Sequence, residues 1–358
     1  YQLHIALRFE SDLKATLIDM DIHPWVLQKL TVLKQCLPQW FEKAVFGAWL
    51  AGLVVREMSL GQPMIDAALI AGWTHDVGFL RIDPAVLFKK GRLEPEEWRV
   101  LQSHVITGQR FLLAVPDLDP QVPSAVREHH ERCDGTGYPD GRTCRQLGLL
   151  GKVIGMADSV LAIRVNQFKG TGRTLRDVLP YLQMNDVTHS LEVYRAMSSI
   201  LKKSNLKPVH INPYGGIRAM AEVVHRRSTA IHEVRKHLIL FQRALLEQAR
   251  GSRPCKVANV LMMSINNVLT KTAAAGLEGD ETLSWLAGIQ DGEDDVLPDL
   301  NELELAENEL LWHIQSLLRA ADNYFDSEAG GGGGIAKMKN IAAGVRDALA
   351  QAKAAGRK

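Results

Sequence analysis

The chain has 358 residues, with 42 Lys and Arg against 41 Asp and Glu, and 46% of it is hydrophobic. A net charge of +1 builds no large positive field, so nucleic acid is not an expected partner, and 23% charged residues in an apolar-rich chain exclude wholesale disorder. The length is ample for two or three domains, and no run approaches the 18 uncharged apolar residues a membrane span needs.

The N-terminus, Tyr1 to His4, shows no basic segment leading into an apolar run, so no secretory leader is expected. Cys36, Cys133, Cys144 and Cys255 lack paired metal-type spacing and are read as free thiols, which suits a cytoplasmic protein. Strand-like alternation is scarce along the chain, while apolar residues recur at helical spacing. Trp49, Leu50, Leu53 and Val54 are one such group, and Leu240, Phe241 and Leu245 another. Residues 216–249 contain no proline and read as one long helix, and 303–325 as a second.

The fold expected is therefore all-α. A motif-dense domain covers 1–178 with its N-terminal helices, and a second helical, bundle-like region of unknown role covers 179–327. Between the long helices, residues 291–309 hold nine acidic and no basic residues and are read as a solvated loop running into a helix N-terminus. On the first long helix, His225, Arg226, Arg227, His232, Arg235, Lys236 and His237 read as a solvated face, with a basic surface for an acidic partner as the alternative. Residues 328–334 end in five glycines and read as a flexible linker. Beyond it, 335–358 form a basic amphipathic helix whose stripe is Ile335, Met338, Ala342, Val345, Leu349 and Ala352. Behind a flexible tether this tail should be removable without harm to the fold. The apolar content of the second region also makes a homodimer an expected assembly.

Chemistry concentrates between Gly72 and Asp158. His75-Asp76 comes first, then His104, then His129-His130, then Asp134-Gly135-Thr136-Gly137-Tyr138-Pro139, then Asp158. Imidazole and carboxylate suit divalent Fe, Mn, Zn or Ni, and a carboxylate can bridge two ions. Two ions about 3.5–4 Å apart can share a hydroxide and clamp a phosphodiester for in-line attack. His75-Asp76 alone carries little weight, because such dipeptides arise by chance. The paired histidines followed by a glycine-punctuated loop, stiffened by Pro139, fix many more positions.

This segment resembles the HD-GYP domain, a subgroup of the HD metal-dependent phosphohydrolases. The resemblance runs from Ala67 through His75-Asp76 and Gly78, Gly91 to Trp98, Ser103-His104, and His129-His130-Glu131-Arg132 to Gly141. It continues into Lys152–Asp158 and covers roughly residues 40–170. It implies an HD-type helical domain with two divalent ions, Fe or Mn among the candidates. It also implies hydrolysis of the bacterial second messenger cyclic di-GMP to the linear dinucleotide or GMP. Carried over position by position, His75, Asp76, His104, His129, His130 and Asp158 would be metal ligands, with Asp76 bridging. Asp134, Gly135, Gly137, Tyr138 and Pro139 would form the loop that shapes the substrate pocket and meets diguanylate cyclase (GGDEF-type) domains.

The sequence also departs from the family. No histidine lies between 24 and 74, where the family's first ligand falls and this chain has Lys43-Ala-Val-Phe-Gly-Ala-Trp-Leu. His4, His23, Glu42 or Glu57 would have to replace it. Phe79 stands where the family has a phosphate-facing lysine, and Arg81 is the candidate to act beside Asp76 in catalysis instead. Arg164 is the only cation close to the element that follows Asp158, and it reads better as a solvated helix residue. The alternative to an enzyme is a degenerate member that binds a nucleotide or a signalling partner without turnover.

Overall fold

In the computed structural model the described residues form helices joined by turns and loops, as expected. The structure describes all residues except 1–2, 4–6, 92, 186–187, 250–254, 278, 328–332 and 357–358. Among the described residues there is no named strand, only an antiparallel bridge between Asp134 and Thr143. The chain forms two compact units, Tyr1–Leu179 with Asp186–Pro208, and Pro180–Asn185 with Val209–Lys358.

The first unit is built from α1 (Glu10–Asp19), α2 (Pro24–Cys36), α3 (Pro38–Glu57), α4 (Gln62–Thr74), α5 (Pro84–Leu87), α6 (Pro95–Gln102), α7 (His104–Leu113), α8 (Gln121–Glu128) and α9 (Leu149–Gln167). Each helix from α2 to α6 has a proline in its first turn, where the missing N–H costs nothing and the fixed φ favours the helix. Glu94 and Glu97 add a reciprocal capping box to α6, with the Glu97 carboxylate accepting from the Glu94 N–H at 2.7 Å. The core centres on α3 and α4, where Ala44, Ala48, Ala51, Val54, Ala68 and Leu69 are fully buried. These two helices touch closely, because a Cβ on Gly72 would stand 2.4 Å from the Ala48 Cα. Only glycine fits there, and the contact fixes where α4 ends and hence where His75 lies.

The helix α10 (Leu179–Met184) belongs to the second unit from Pro180 onward, and α11 (Leu191–Lys203) returns to the first. A boundary at 178 therefore leaves out a piece of the first unit. Val193, Met197, Ile200 and Leu201 of α11 are buried, which gives residues 186–208 their reason to return.

The second unit contains α12 (Ile217–Ala249), α13 (Lys256–Ala274), α14 (Asp280–Gly288), α15 (Leu297–Ser327) and α16 (Gly333–Ala355). Its core joins Phe241, Leu261, Ile265, Leu310, Ile314, Leu317 and Phe325 to residues of the last helix. Gly334, Gly344 and Gly356 lie against Gln248, His237 and Arg227 in turn, so α16 runs antiparallel along α12. Three sequence expectations change here. Gly333 and Gly334 open a helix, and the rest of the expected linker lies outside the described residues. The acidic stretch is partly interior: Glu304 accepts from the Tyr214 hydroxyl at 2.8 Å, Glu307 from Ser228 at 2.6 Å and Glu309 from Asn185 at 2.6 Å, and all three are buried. On the basic face of α12, Arg227 is buried with Glu304 3.6 Å away.

Candidate metal centre

Three helix ends converge on one point, and each supplies a histidine. His75 follows α4, His104 comes just after α6, and His129 follows α8. The last carbonyls of a helix lack intrahelical partners. Here they receive imidazoles: Nδ1 of His75 lies 2.7 Å from the Gly72 oxygen, that of His104 2.7 Å from Leu101, and that of His129 2.8 Å from Val126. A carbonyl can only accept, so each Nδ1 carries a proton and each Nε2 is the nitrogen left facing the cluster. All three Nε2 atoms are buried without a hydrogen-bond partner. Three such buried, unpartnered nitrogens around one carboxylate are costly unless a cation joins them, so the donor set fits a divalent metal.

The carboxylate is Asp76. Its Oδ1 stands 3.6 Å from His104 Nε2 and 3.9 Å from His129 Nε2, while its Oδ2 faces His75 Nε2 at 3.4 Å. Asp76, His104, His129 and His130 each offer a donor atom within 4.8 Å of the others. Asp158 of α9 stands 3.9 Å from His75 Nε2 and 3.8 Å from His130 Nδ1. Two donor sets therefore share Asp76, one oxygen facing each. The first is a quartet, and the second is His75, Asp76 and Asp158.

Charge is distributed to suit cation binding. Burial pushes His104, His129 and His130 below the usual imidazole range and keeps them neutral. Burial works against the charged form of His75 as well, but Asp76 and then Asp158 outweigh it and lift it to about 9. For Asp76, burial is overcome by His75, His104 and His129, which hold the carboxyl well below its ordinary value. Burial raises Asp158 to about 6.

The signature loop walls one side. Tyr138 stacks on His130 with ring centroids 4.8 Å apart, and its N–H donates to the His130 carbonyl at 3.1 Å. Gly137 allows this, since a Cβ there would stand 2.4 Å from the Glu131 Cα and the Arg132 nitrogen. Asp134 faces its own loop, accepting from the Thr136 N–H at 2.9 Å and the Thr136 hydroxyl at 2.6 Å. Gly135 has φ +76 and Pro139 follows a cis peptide bond. Two residues that hold the loop carried no assigned role in the sequence. The Glu131 carboxylate accepts the N–H groups of Asp140, Gly141 and Arg142 at 2.6, 3.1 and 2.8 Å. Glu128 accepts from the Arg142 guanidinium at 2.6 Å and the Gly148 N–H at 2.8 Å. Glu131 follows the histidine pair directly, but only the return of the chain after Pro139 gives its carboxylate a task.

Among the described residues, none of the expected substitutes joins the centre. His23 caps α2, accepting from the Trp25 N–H at 3.2 Å. Glu57 takes Ser199 and Lys203, Glu42 is exposed, and His4 lies outside the described residues. Arg164 lies 5.6 Å over the Phe46 ring. Arg81 ends the 3-10 turn Val77–Arg81 with an exposed side chain. Phe79 faces the centre instead, stacked on His104 at 4.0 Å and 13°. It is 9% exposed and packs with Leu33, Leu37, Ala44 and Ile82. The position of the family's lysine is therefore filled by core. Phe79→Lys should not raise activity, and it should lower the melting temperature by burying an ammonium among apolar neighbours. Thermal melts of both proteins check this, and an equally stable, faster variant would contradict it.

With this geometry in hand, the comparisons with known proteins are specific. The HD domain family matches residues 33–190. A cyclic di-GMP phosphodiesterase of Thermotoga maritima is 33% identical over 112 residues, 31% of this chain and 30% of that one. A cyclic di-GMP phosphodiesterase of Pseudomonas aeruginosa is 32% identical over 141 residues, 39% of this chain and 34% of that one. Residues 33–190 are an HD domain. A 3'3'-cGAMP-specific phosphodiesterase of Vibrio cholerae is 28% identical over 156 residues, 44% of this chain and 33% of that one. The chain thus spans about a third of the length of these relatives. Among the described residues, no helix is long and apolar enough to cross a membrane.

Proposed function

We propose that the HD domain is a metal-dependent phosphodiesterase acting on a cyclic dinucleotide, cyclic di-GMP first, in cytoplasmic bacterial second-messenger signalling. The observation that carries this reading is the set of three buried, unpartnered Nε2 atoms around the Asp76 carboxylate. Asp76, His104, His129 and His130 would hold one ion, and His75, Asp76 and Asp158 a second. Bound there, divalent ions would supply Lewis-acid stabilisation of a phosphoryl oxygen and an activated water. The chain's own residues do the rest. The helix-end carbonyls fix each imidazole, neutral His104, His129 and His130 keep the donors available, and Tyr138 holds His130 in place. The relatives named for cyclic di-GMP and for 3'3'-cGAMP support the substrate class. The same half-buried loop, Asp134 to Pro139, is the surface we assign to contacts with GGDEF-type partners.

One observation favours a second reading. Phe79 on His104 leaves no cation at the position where the family carries one, and loss of a single preorganised donor costs about 10²–10³ in rate. Hydrolysis should therefore be slow, and a purely nucleotide-binding module is the alternative. Incubating the chain, loaded with Mn or ferrous iron, with cyclic di-GMP and in parallel with 3'3'-cGAMP separates the two. Metal-dependent appearance of linear dinucleotide or GMP is the expected result. Binding with no product after prolonged incubation would replace the enzyme by a receptor.

A further inference from the structure

The signature loop is flanked at its stem by two cysteines. Asp134 and Thr143 form the one antiparallel bridge among the described residues, so Cys133 and Cys144, the next residues outward, face each other in register. The Cys144 N–H donates to the Cys133 carbonyl at 3.1 Å, as in a hydrogen-bonded antiparallel pair. The Cα atoms of such a pair stand about 5.5 Å apart with both side chains on one face, and a disulfide spans about 4.4–6.8 Å. Both cysteines are free and half-buried. Burial, and after it a hydrogen bond with the Cys144 thiol, push the Cys133 thiol up to about 12. The stem is anchored on either side: the Cys133 N–H donates to the Thr188 carbonyl at 3.0 Å, and Gln146 accepts from the Thr143 N–H at 2.9 Å. Between the cysteines lies the whole of the loop that stacks Tyr138 on His130. Hydrogen bonds and ring stacking let such a loop open and reclose locally, whereas a covalent bond across its stem restricts that opening.

We propose that Cys133 and Cys144 are a redox switch, closed to a disulfide by a small-molecule disulfide such as oxidised glutathione, which locks the signature loop against the metal centre. The Cys144 thiolate attacks one sulfur of the oxidant, forming a mixed disulfide and releasing one glutathione thiolate. Cys133 then loses its proton to solvent and displaces the second glutathione. Two protein thiols are oxidised, and one small disulfide is reduced to two thiols. Cys133, held protonated at rest, suits the second step better than the first. As regulation of the centre this rests on the phosphodiesterase reading, but the thiol chemistry does not.

The test therefore uses the full chain without metal and without any activity measurement. The chain is equilibrated with mixtures of reduced and oxidised glutathione, remaining thiols are alkylated, and the peptides are mapped by mass spectrometry. At mildly oxidising ratios the wild type should lose two hydrogens per chain in a link between Cys133 and Cys144, while Cys36 and Cys255 remain open to alkylation. Excess reduced glutathione should reverse the link. Cys133→Ser should stop at a glutathione adduct on Cys144. Backbone amide exchange across 134–143 should slow by roughly tenfold or more in the oxidised wild type, with the circular dichroism spectrum unchanged. Separate glutathione adducts on the two cysteines, thiols that persist at every ratio, or a disulfide with unchanged exchange would each overturn the switch and leave the phosphodiesterase reading untouched. A metal-loaded chain that forms no product would overturn that reading and leave the thiol pair standing.

Discussion

Replacing Asp76 by alanine should strip the purified chain of metal and abolish any phosphodiesterase activity while leaving it folded. The carboxylate is 6% exposed, and both its oxygens are in use, Oδ1 toward His104 and His129 and Oδ2 toward His75. Loss of an outer partner of a metal ligand already costs roughly 10–100-fold in affinity. Asp76 faces both donor sets, so its removal should cost each of them more than that. Elemental analysis alongside product formation reads the outcome, and a variant that retains a stoichiometric ion would refute the assignment. Asp76→Asn provides a second measurement on the metal-free chain. Asp76 is the largest of the influences that lift His75 to about 9, so in Asp76→Asn the His75 value should fall, which an NMR titration of the imidazole would follow. The sign for stability follows. With its folded value raised from 6.5, His75 stabilises the metal-free chain fully below that pH and loses the contribution as pH climbs through about 9. Asp76→Asn should lack most of this alkaline decline.

Deleting 335–358 should melt the second unit. The sequence alone suggests the opposite, a tethered helix that can be removed. In the structure Ile335, Met338, Ala342, Val345, Ala348, Leu349 and Ala352 of α16 are all buried, and Met338, Ala342, Val345 and Ala352 are 0% exposed. Fully burying a large apolar side chain contributes about 1.5–3 kcal/mol, so Ile335, Met338, Val345 and Leu349 together stabilise by about 6–12 kcal/mol. That is comparable to the whole stability of a typical domain, about 5–15 kcal/mol. Thermal unfolding followed by circular dichroism should show the truncated chain losing helix far below the transition of the full chain. Proteolysis of the truncated chain should open α12 and α15 first, because α12 loses the helix laid along it. An unchanged melting curve would mean that α16 is not part of the core.

The helical class was legible from the sequence, because apolar periodicity is a local property and α12 and α15 repeat it for 33 and 31 residues. The proposed donors could also be named from the sequence, and His75, Asp76, His104, His129, His130 and Asp158 lie close together in the structure, with the histidines at helix ends. The sequence did not decide which donors face which. That Asp76 turns one oxygen to each set depends on α4, α6 and α8 ending at one point, which the close approaches of Gly72 to Ala48, Gly78 to His104 and Gly155 to His129 permit. Phe79 reads in sequence as a missing lysine, and only packing turns it into part of the core and a lid on His104. The tail and the acidic stretch were misjudged for one reason. Amphipathic and charged patterns say that a face must be covered or a carboxylate paired, but not by what. The antiparallel run of α16 along α12, and the Tyr214, Ser228 and Asn185 groups that reach Glu304, Glu307 and Glu309, join residues some 80 to 130 positions apart in the chain. Pairings at that separation are set by how the helices pack, and no local pattern encodes them.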